Sequence, residues 1–514
     1  MKKITIANLK KTLFYLKRNG IRNTINAAAE RLGTTENYQY QSLSETEKKA
    51  LREQALKRID DWTADEEIVP TFSILVPAYH TDPLFLRDLV LSVKEQAYPL
   101  WELFILDASK DESVHASLEE ICKKEEIPLM TDDGLGDDDL AVDVGSIHYV
   151  RLAENAGISE NTNAGIPLAQ GEYIGLLDHD DVLTPDALFE MAKAIRDMGG
   201  EGEPLVIYSD EDKWDGALQY YEPNRKEDLN LDLLLTNNYV CHFLVMEREL
   251  FRKLRLRKEC DGAQDYDLVL RAVAEIMERG LMPEQAVRHV PRVLYHWRCH
   301  GGSTAENPQS KLYAYEAGKR ALQEFADGQG WNATAEDLKH VGFYRLNYLK
   351  SDLRPEGLED EGCPALQVRR DIGAVGGKVL DERGQMLVGG RMAEDGSVYY
   401  DGLKEGFSGY LHRAVLTQDA AAVDLRCICV AKEFWPLFES IVGVPYHTRK
   451  ISAGEIAEKK EAVATEVEIF DIGTLPETAD IKKLSITFCK KLLENGKRIL
   501  WDPEMVITLK ETPH

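Results

Sequence analysis

From Pro70 onward the sequence alternates short apolar runs with helical stretches, and three of the four runs stop at a proline or an aspartate. Phe72-Ser73-Ile74-Leu75-Val76 ends in Pro77, Trp101–Leu106 ends at Asp107, Glu172–Leu177 ends at Asp178, and a fourth run covers Ile147–Leu152. Between them, helical patterns span about Leu84–Gln96, Ser113–Glu125 and Ser159–Ala169. Runs this short, apolar throughout rather than on alternate positions, suit strands buried on both faces. Strand and helix in strict alternation predict an α/β domain with a largely parallel sheet. Ligands of such sheets bind beyond the carboxyl ends of the strands. Asp107 and the cluster Asp178-His179-Asp180-Asp181 fall there, which separates them from ordinary surface acids.

Charge and length narrow the remaining choices. The 514 residues suffice for two to four domains. A net charge of −27 opposes binding to nucleic-acid phosphates, so no nucleic-acid partner is expected. No run reaches the ~20 apolar residues of a membrane span, and the start, with no apolar core before a small-residue cleavage site, reads as no secretory signal. Eight scattered cysteines, without metal-site spacing, read as reduced thiols of a cytoplasmic protein.

Asp178-x-Asp180 directly after a strand brings two carboxylates within reach of one hard cation. Mg²⁺ or Mn²⁺ uses such a pair together with substrate phosphate oxygens. The competing reading is an acidic turn before the helix start Thr184-Pro185-Asp186, and Asp181 fits that turn. The Asp-rich stretch 131–144 lacks the frame of an EF-hand loop and reads as a solvated surface loop. Neither GxxxxGK[ST] nor a strand-embedded GxGxxG occurs, which removes the P-loop and dinucleotide-binding readings. Asp265 opens a helix running to about Arg279, either as a cap or as a general base projecting into the cleft. Downstream, His296-Trp297-Arg298-x-His300-Gly301-Gly302 could close over a diphosphate, with His296 on the metal or Arg298 on phosphate oxygens. A structural loop is the alternative for each side chain.

In order along the chain, several stretches resemble family 2 glycosyltransferases of the GT-A fold: Ser73–Tyr79, Ser92–Leu103, Asn155–Ser159, Asn163–Gly165, Gly171–Ile174, Leu177–Asp181, Tyr208–Lys213, Gln264–Leu268 and Tyr295–Arg298. The match spans about residues 71–347 and is most similar to the bacterial branch that builds cell-surface polysaccharides, rhamnosyltransferases included. The resemblance implies a Rossmann-like GT-A sheet. It also implies inverting transfer of a hexosyl or deoxyhexosyl group from a UDP- or dTDP-linked donor to a glycan or lipid-linked acceptor, with Mg²⁺ or Mn²⁺ as cofactor. By analogy, Pro77, Ala78 and Tyr79 line the nucleotide pocket, and Asp107 contacts the donor base. Asp178 and Asp180 hold ribose, metal and diphosphate, with His296 and Arg298 assisting, and Asp265 deprotonates the acceptor hydroxyl. Asp107-Ala108-Ser109 departs from the paired acids that many relatives carry. Two rivals remain open: a non-catalytic sugar- or nucleotide-binding scaffold, and a metal phosphohydrolase. The latter lacks a second, His-rich ligand set.

The expected division is a helical segment 1–69, a GT-A domain 70–348, and a degenerate partial second transferase module 349–514. Ile372–Lys378, Gly384-Gln385, Cys489–Gly496 and Trp501-Asp502-Pro503 look like the back half of a module. The position of its base falls in Leu484–Phe488, which has no carboxylate, so this part is expected to be non-catalytic, serving docking, acceptor holding or homodimer formation. Residues 1–32 carry eight Lys and Arg against Glu30 alone. They read either as a basic amphipathic segment peripheral to the inner face of an anionic membrane, or as a solvated helix packed by its apolar stripe. Ser44-x-x-Glu47 marks a capping box opening a helix to Trp62.

Overall fold

The computed structural model describes residues 6–33, 38–65, 67–132, 144–196, 204–300, 312–349, 362–453 and 465–509. Contacts divide the chain into a central unit, Glu36–Leu229 with Asn238–Phe325, and a terminal unit, Met1–Thr35 with Asn230–Asn237 and Ala326–His514. The first helix therefore groups with the C-terminal part, and the second, Glu45–Ala64, with the central unit.

The central unit is built on one mixed sheet. Its strands are β1 Phe72–Ala78, β2 Trp101–Asp107, β3 Leu129–Asp132, β4 Ser146–Arg151, β5 Tyr173–Leu176, β6 Val182–Leu183, β7 Val206–Trp214, β8 Tyr220–Asn224, β9 Leu244–Glu247 and β10 Val287–Arg298. They lie in the order β3-β4-β2-β1-β5-β9-β7-β10-β6, with β8 on β7. β3, β4, β2, β1 and β5 run parallel, as their apolar runs require, and β9 is antiparallel to both β5 and β7. Pro77 fits β1 because odd-numbered residues there bond β5, and that pairing ends at Leu75. Pro77 thus stands where no donor is needed. Ile74, Val76, Leu103 and Ile105 are fully buried and join Leu86, Leu89 and Val90 of the helix Pro83–Lys94 in the core.

Two motif residues turn out to be structural. Ser73 Oγ donates to buried Glu102 Oε1 at 2.5 Å, which also accepts from the Gln170 N–H at 2.8 Å. A Cβ on Gly171 would lie 2.6 Å from the Ser73 nitrogen, so only glycine lets the chain approach here. The helix expected over Ser159–Ala169 is shorter, Ile158–Asn163. Asn163 is drawn into a reciprocal pair with the Leu256 backbone, donating to O at 2.8 Å and accepting from N at 2.9 Å. This side-chain bonding competes with continuation of the helix. Most of the acidic stretch 131–144 lies outside the described residues.

In the terminal unit, strand Ile372–Leu380 pairs in parallel with Arg498–Thr508 and antiparallel with Ile428–Val430 and Leu387–Gly389. Leu484–Phe488 lies within the helix Ile481–Glu494. Arg369, fully buried, bonds Asp232 and, at 2.6 Å, Asp371, and its guanidinium lies 4.4 Å above Trp331. The helix Ile6–Gly33 breaks at Gly20, whose φ of 75° leaves the helical region. Among its described side chains, polar contacts tie it to the rest of the terminal unit. Glu30 accepts from Ser408 N and Gly409 N, each at 2.8 Å, and Arg18 donates to Leu338 O at 3.0 Å. Leu13, Ile21 and Ile25 remain 49, 70 and 62 % exposed, while the side chains of Lys2, Lys3, Lys10, Lys11, Arg22 and Arg31 lie outside the described residues. Among the described residues no helix is long and apolar enough to cross a membrane.

Candidate active site

Beyond the ends of β1 and β5 a pocket opens with Pro77, Leu177, Ile158 and Leu256 in its walls and two carboxylates, Asp178 and Asp265, facing it. Asp178 lies two residues past the end of β5. Asp265 sits in the first turn of the helix Gln264–Glu278. That helix start has no side-chain cap at Ala263, and Gln264 Oε1 accepts from the Gly262 N–H at 2.7 Å. The other acid of the turn, Asp267, is held by Arg257 and by Arg271 at 2.7 Å. Asp267 is thereby neutralised as a structural ion pair and Asp265 is left to the pocket. Burial raises the Asp265 carboxyl, with Asp178 adding to the rise and His242 opposing it, to about 6.

The Asp cluster divides its labour. Asp181 is fully buried; its Oδ2 accepts from Tyr295 Oη at 2.6 Å and its Oδ1 from Arg298 N at 2.7 Å. Burial, then the Asp180 and Asp178 charges, push its carboxyl well above the usual range. This is a structural acid of the turn. Asp180 Oδ2 lies 2.9 Å from His300 Nε2. Two carboxylates at a strand end, Asp178 and Asp180, are the donor set present for a hard cation. That set fits Mg²⁺ or Mn²⁺ once diphosphate oxygens are added. Among the described residues no cluster of three or more His, Cys, Asp or Glu stands ready to hold a metal by itself.

His296, expected on the metal, points elsewhere. The parallel register of β10 on β7 sets it level with Asp212, and its Nδ1 lies 2.6 Å from Asp212 Oδ1. Tyr38 Oη donates to the other Asp212 oxygen at 2.6 Å, and the rings of Tyr40 and Tyr220 pack at 4.4 Å. The imidazole that touches the cluster is His300, four residues on. Arg298, expected on phosphate, is buried. Its Nε donates to the Asp180 carbonyl at 2.6 Å, its Nη2 to Asp88 at 2.9 Å, and its guanidinium stacks on Trp214 and Phe85. It clamps the backbone of the Asp turn. Asp107, fully buried at the end of β2, accepts from Ser109 N and Tyr149 Oη, each at 2.9 Å. Ala78 is buried, and Tyr79 is 45 % exposed with its ring edge-on to His80.

Three carboxylates on β7 each hold a histidine: Asp210 with His289 at 2.9 Å, Glu211 with His242 at 2.9 Å, and Asp212 with His296. Sequence reasoning noted the run Tyr208–Lys213 but missed that Glu211 within it pairs with His242. Burial alone would lower the His242 imidazole; Glu211, then Asp178 and Asp265, hold it instead at about 9. Burial would raise Glu211, but Lys226 and His242 draw it down to about 2. Glu211 thus holds His242 as a cation whose charge acts on the two pocket carboxylates. The signal available in sequence was a polar Cys241-His242 immediately before the apolar strand β9.

Residues 73–255 match the family model described as Glycosyl transferase family 2. An uncharacterized protein of Sinorhizobium fredii, y4gI, is 34 % identical over 257 residues, covering 50 % of this chain and 25 % of that protein. The O-antigen biosynthesis protein RfbC of Myxococcus xanthus is 31 % identical over 281 residues, covering 54 % of this chain and 20 % of that protein. The chain thus matches a quarter or less of the length of these relatives. Among solved structures, S. aureus TarS in complex with UDP-GlcNAc superposes with a TM-score of 0.36 at 16 % identity, covering 50 % of this chain and 66 % of that one.

Proposed function

We propose that the chain, whose residues 73–255 match the family model for glycosyltransferase family 2, moves a sugar from a nucleoside-diphosphate donor to a hydroxyl of a cell-surface glycan or its lipid-linked precursor, with inversion at the anomeric carbon. One observation carries the reading: Asp178 and Asp265 line a single pocket at the carboxyl ends of β1 and β5. Burial raises one of them, Asp265, to about 6. A base poised near the working pH is what proton removal from a sugar hydroxyl requires.

Pro77 and the backbone to Tyr79 form the nucleotide side, and the tightly bonded Asp107 shapes the floor beneath the base. Asp178 and Asp180 would hold Mg²⁺ or Mn²⁺, which when bound supplies positive charge against the diphosphate. Asp181 and Arg298 keep the turn that presents these carboxylates in place. Asp265 takes the proton of the acceptor hydroxyl as its oxygen attacks the anomeric carbon from the face opposite the leaving group. Geometry does most of the remaining work, since two oriented reactants need no protein nucleophile. The Myxococcus relative carries the name of O-antigen biosynthesis, which favours a surface polysaccharide as acceptor. The deciding assay is nucleoside-diphosphate release from a panel of UDP-, dTDP- and GDP-sugars with Mn²⁺, with and without a glycan acceptor. Acceptor-dependent release supports transfer. Release that ignores the acceptor indicates a hydrolase, and none from any donor indicates a binding scaffold.

A further inference from the structure

His242 is held more completely than a surface or core histidine needs. Its backbone N–H and its Nδ1 both bond one oxygen of Glu211, at 2.8 and 2.9 Å, and Lys226 Nζ donates to its carbonyl oxygen. Its ring lies flat on Tyr295, 4.8 Å between centroids and 17° between planes. Tyr295 in turn donates to Asp181 and accepts from the Asp178 N–H. Glu211 is fixed from its far side by Asn224 Nδ2 at 2.9 Å. The antiparallel register of β5 and β9 ends at Leu176 opposite Leu244. The ladder stops there, with Asp178 two residues past Leu176 and His242 two residues before Leu244. Among the described residues no group bonds its second nitrogen, Nε2. Backbone, ring face and one nitrogen are all committed.

A cation with so many anchors, its side chain 23 % exposed, has a task there. Two carboxylates lining one pocket repel each other, and a donor diphosphate adds further negative charge. Asp265 must nevertheless stay ionised and aimed. We propose that His242 is a positioning residue of the transfer reaction, a fixed imidazolium that draws the Asp265 carboxylate into place and offsets its repulsion from Asp178. In the step it serves, the acceptor O–H proton passes to Asp265 and the acceptor oxygen bonds the anomeric carbon. The bond from that carbon to the diphosphate oxygen breaks, and its electron pair leaves on the diphosphate. His242 keeps its proton throughout, so its contribution is charge and not proton exchange. Glu211 supplies that charge state and Lys226 holds the backbone that carries the ring.

The inference rests on Asp265 acting as the base, so the test separates the two. His242→Gln, Glu211→Gln and the double variant are compared with the full-length wild type for kcat, donor KM and calorimetric affinity for UDP and GDP in Mn²⁺. Each single change is expected to lower kcat by about tenfold or more with KM and nucleotide affinity within about threefold. The double is expected to be no worse than the poorer single, because the pair acts as one unit. If a single variant fails to fold, the double, which removes both members of the pair, carries the same comparison, with a thermal melt as control. Unchanged kcat, additive losses, or nucleotide affinity falling in parallel with kcat would each overturn the role. A wild type that transfers no sugar refutes the proposed function instead; an active wild type with a fully active double variant refutes only the role of His242.

Discussion

Replacing Asp265 by asparagine keeps the shape of the pocket and removes its base. The side chain has no cap to lose, because Gln264 already serves the Gly262 N–H, so the helix start survives. General-base catalysis is worth about 10²–10⁴ in rate, or about 2.7–5.4 kcal/mol of barrier at 1.36 kcal/mol per factor of ten. Asp265→Asn is therefore expected to lower kcat by that factor, while donor affinity, measured by calorimetry with the nucleotide and Mn²⁺, changes by no more than about twofold. The pH profile carries the same information with a definite sign. With the carboxyl at about 6, roughly nine-tenths of Asp265 is charged at pH 7 and roughly one-tenth at pH 5, so kcat rises about tenfold across that window and then levels. Asp267→Asn, two residues along the same turn, is the control: it loses stability but keeps the limb near pH 6. A flat profile between pH 5 and 7, or loss of nucleotide binding in proportion to kcat, would refute the assignment and return Asp265 to a structural role.

Three further outcomes follow from the same geometry. Arg298→Met removes the clamp on the Asp180 carbonyl and leaves Asp88 unpaired, so urea denaturation should show a loss of about 3–5 kcal/mol; unchanged stability with weakened diphosphate binding would instead place Arg298 on the donor. Asp267 is held below its ordinary range by Arg257 and Arg271 against burial, so its stabilisation is present above about pH 4 and lost as pH falls through its folded value. Denaturation curves of Asp267→Asn and wild type should accordingly converge in acid. In the terminal unit, Arg369→Leu strands buried Asp232 and should cost about 3–5 kcal/mol, with much of it recovered in the Arg369→Leu, Asp232→Asn pair, read from thermal melts.

Strands β1, β2, β4 and β5 were legible because each is a short apolar run, and Asp178 and Asp265 drew notice because strand ends and helix starts are marked locally by composition. Residues whose role depends on register were not. His296 and His300 are equivalent in sequence, and only the alignment of β10 on β7, which sets His296 beside Asp212, separates them. Arg298 looked like a phosphate ligand because nothing local shows that Asp88 and Trp214 enclose it. His242 escaped because its partner Glu211 lies 31 residues away on another strand. The short helix at Ile158–Asn163 was overestimated for a similar reason, since Leu256 captures Asn163 from 93 residues downstream. Glu30 and Arg18 of the N-terminal helix bond Ser408, Gly409 and Leu338, partners more than 300 residues away that no local pattern shows.

The most direct test of the account is a crystal structure of the full chain with Mn²⁺ and the nucleoside diphosphate that binds most tightly in the donor panel. The account predicts an anomalous manganese peak bonded to Asp178 and Asp180, the diphosphate bridging that ion, and Asp265 facing the vacated sugar position across the pocket. A nucleotide or manganese ion seated away from Asp178, with Asp265 turned from it, would contradict the account.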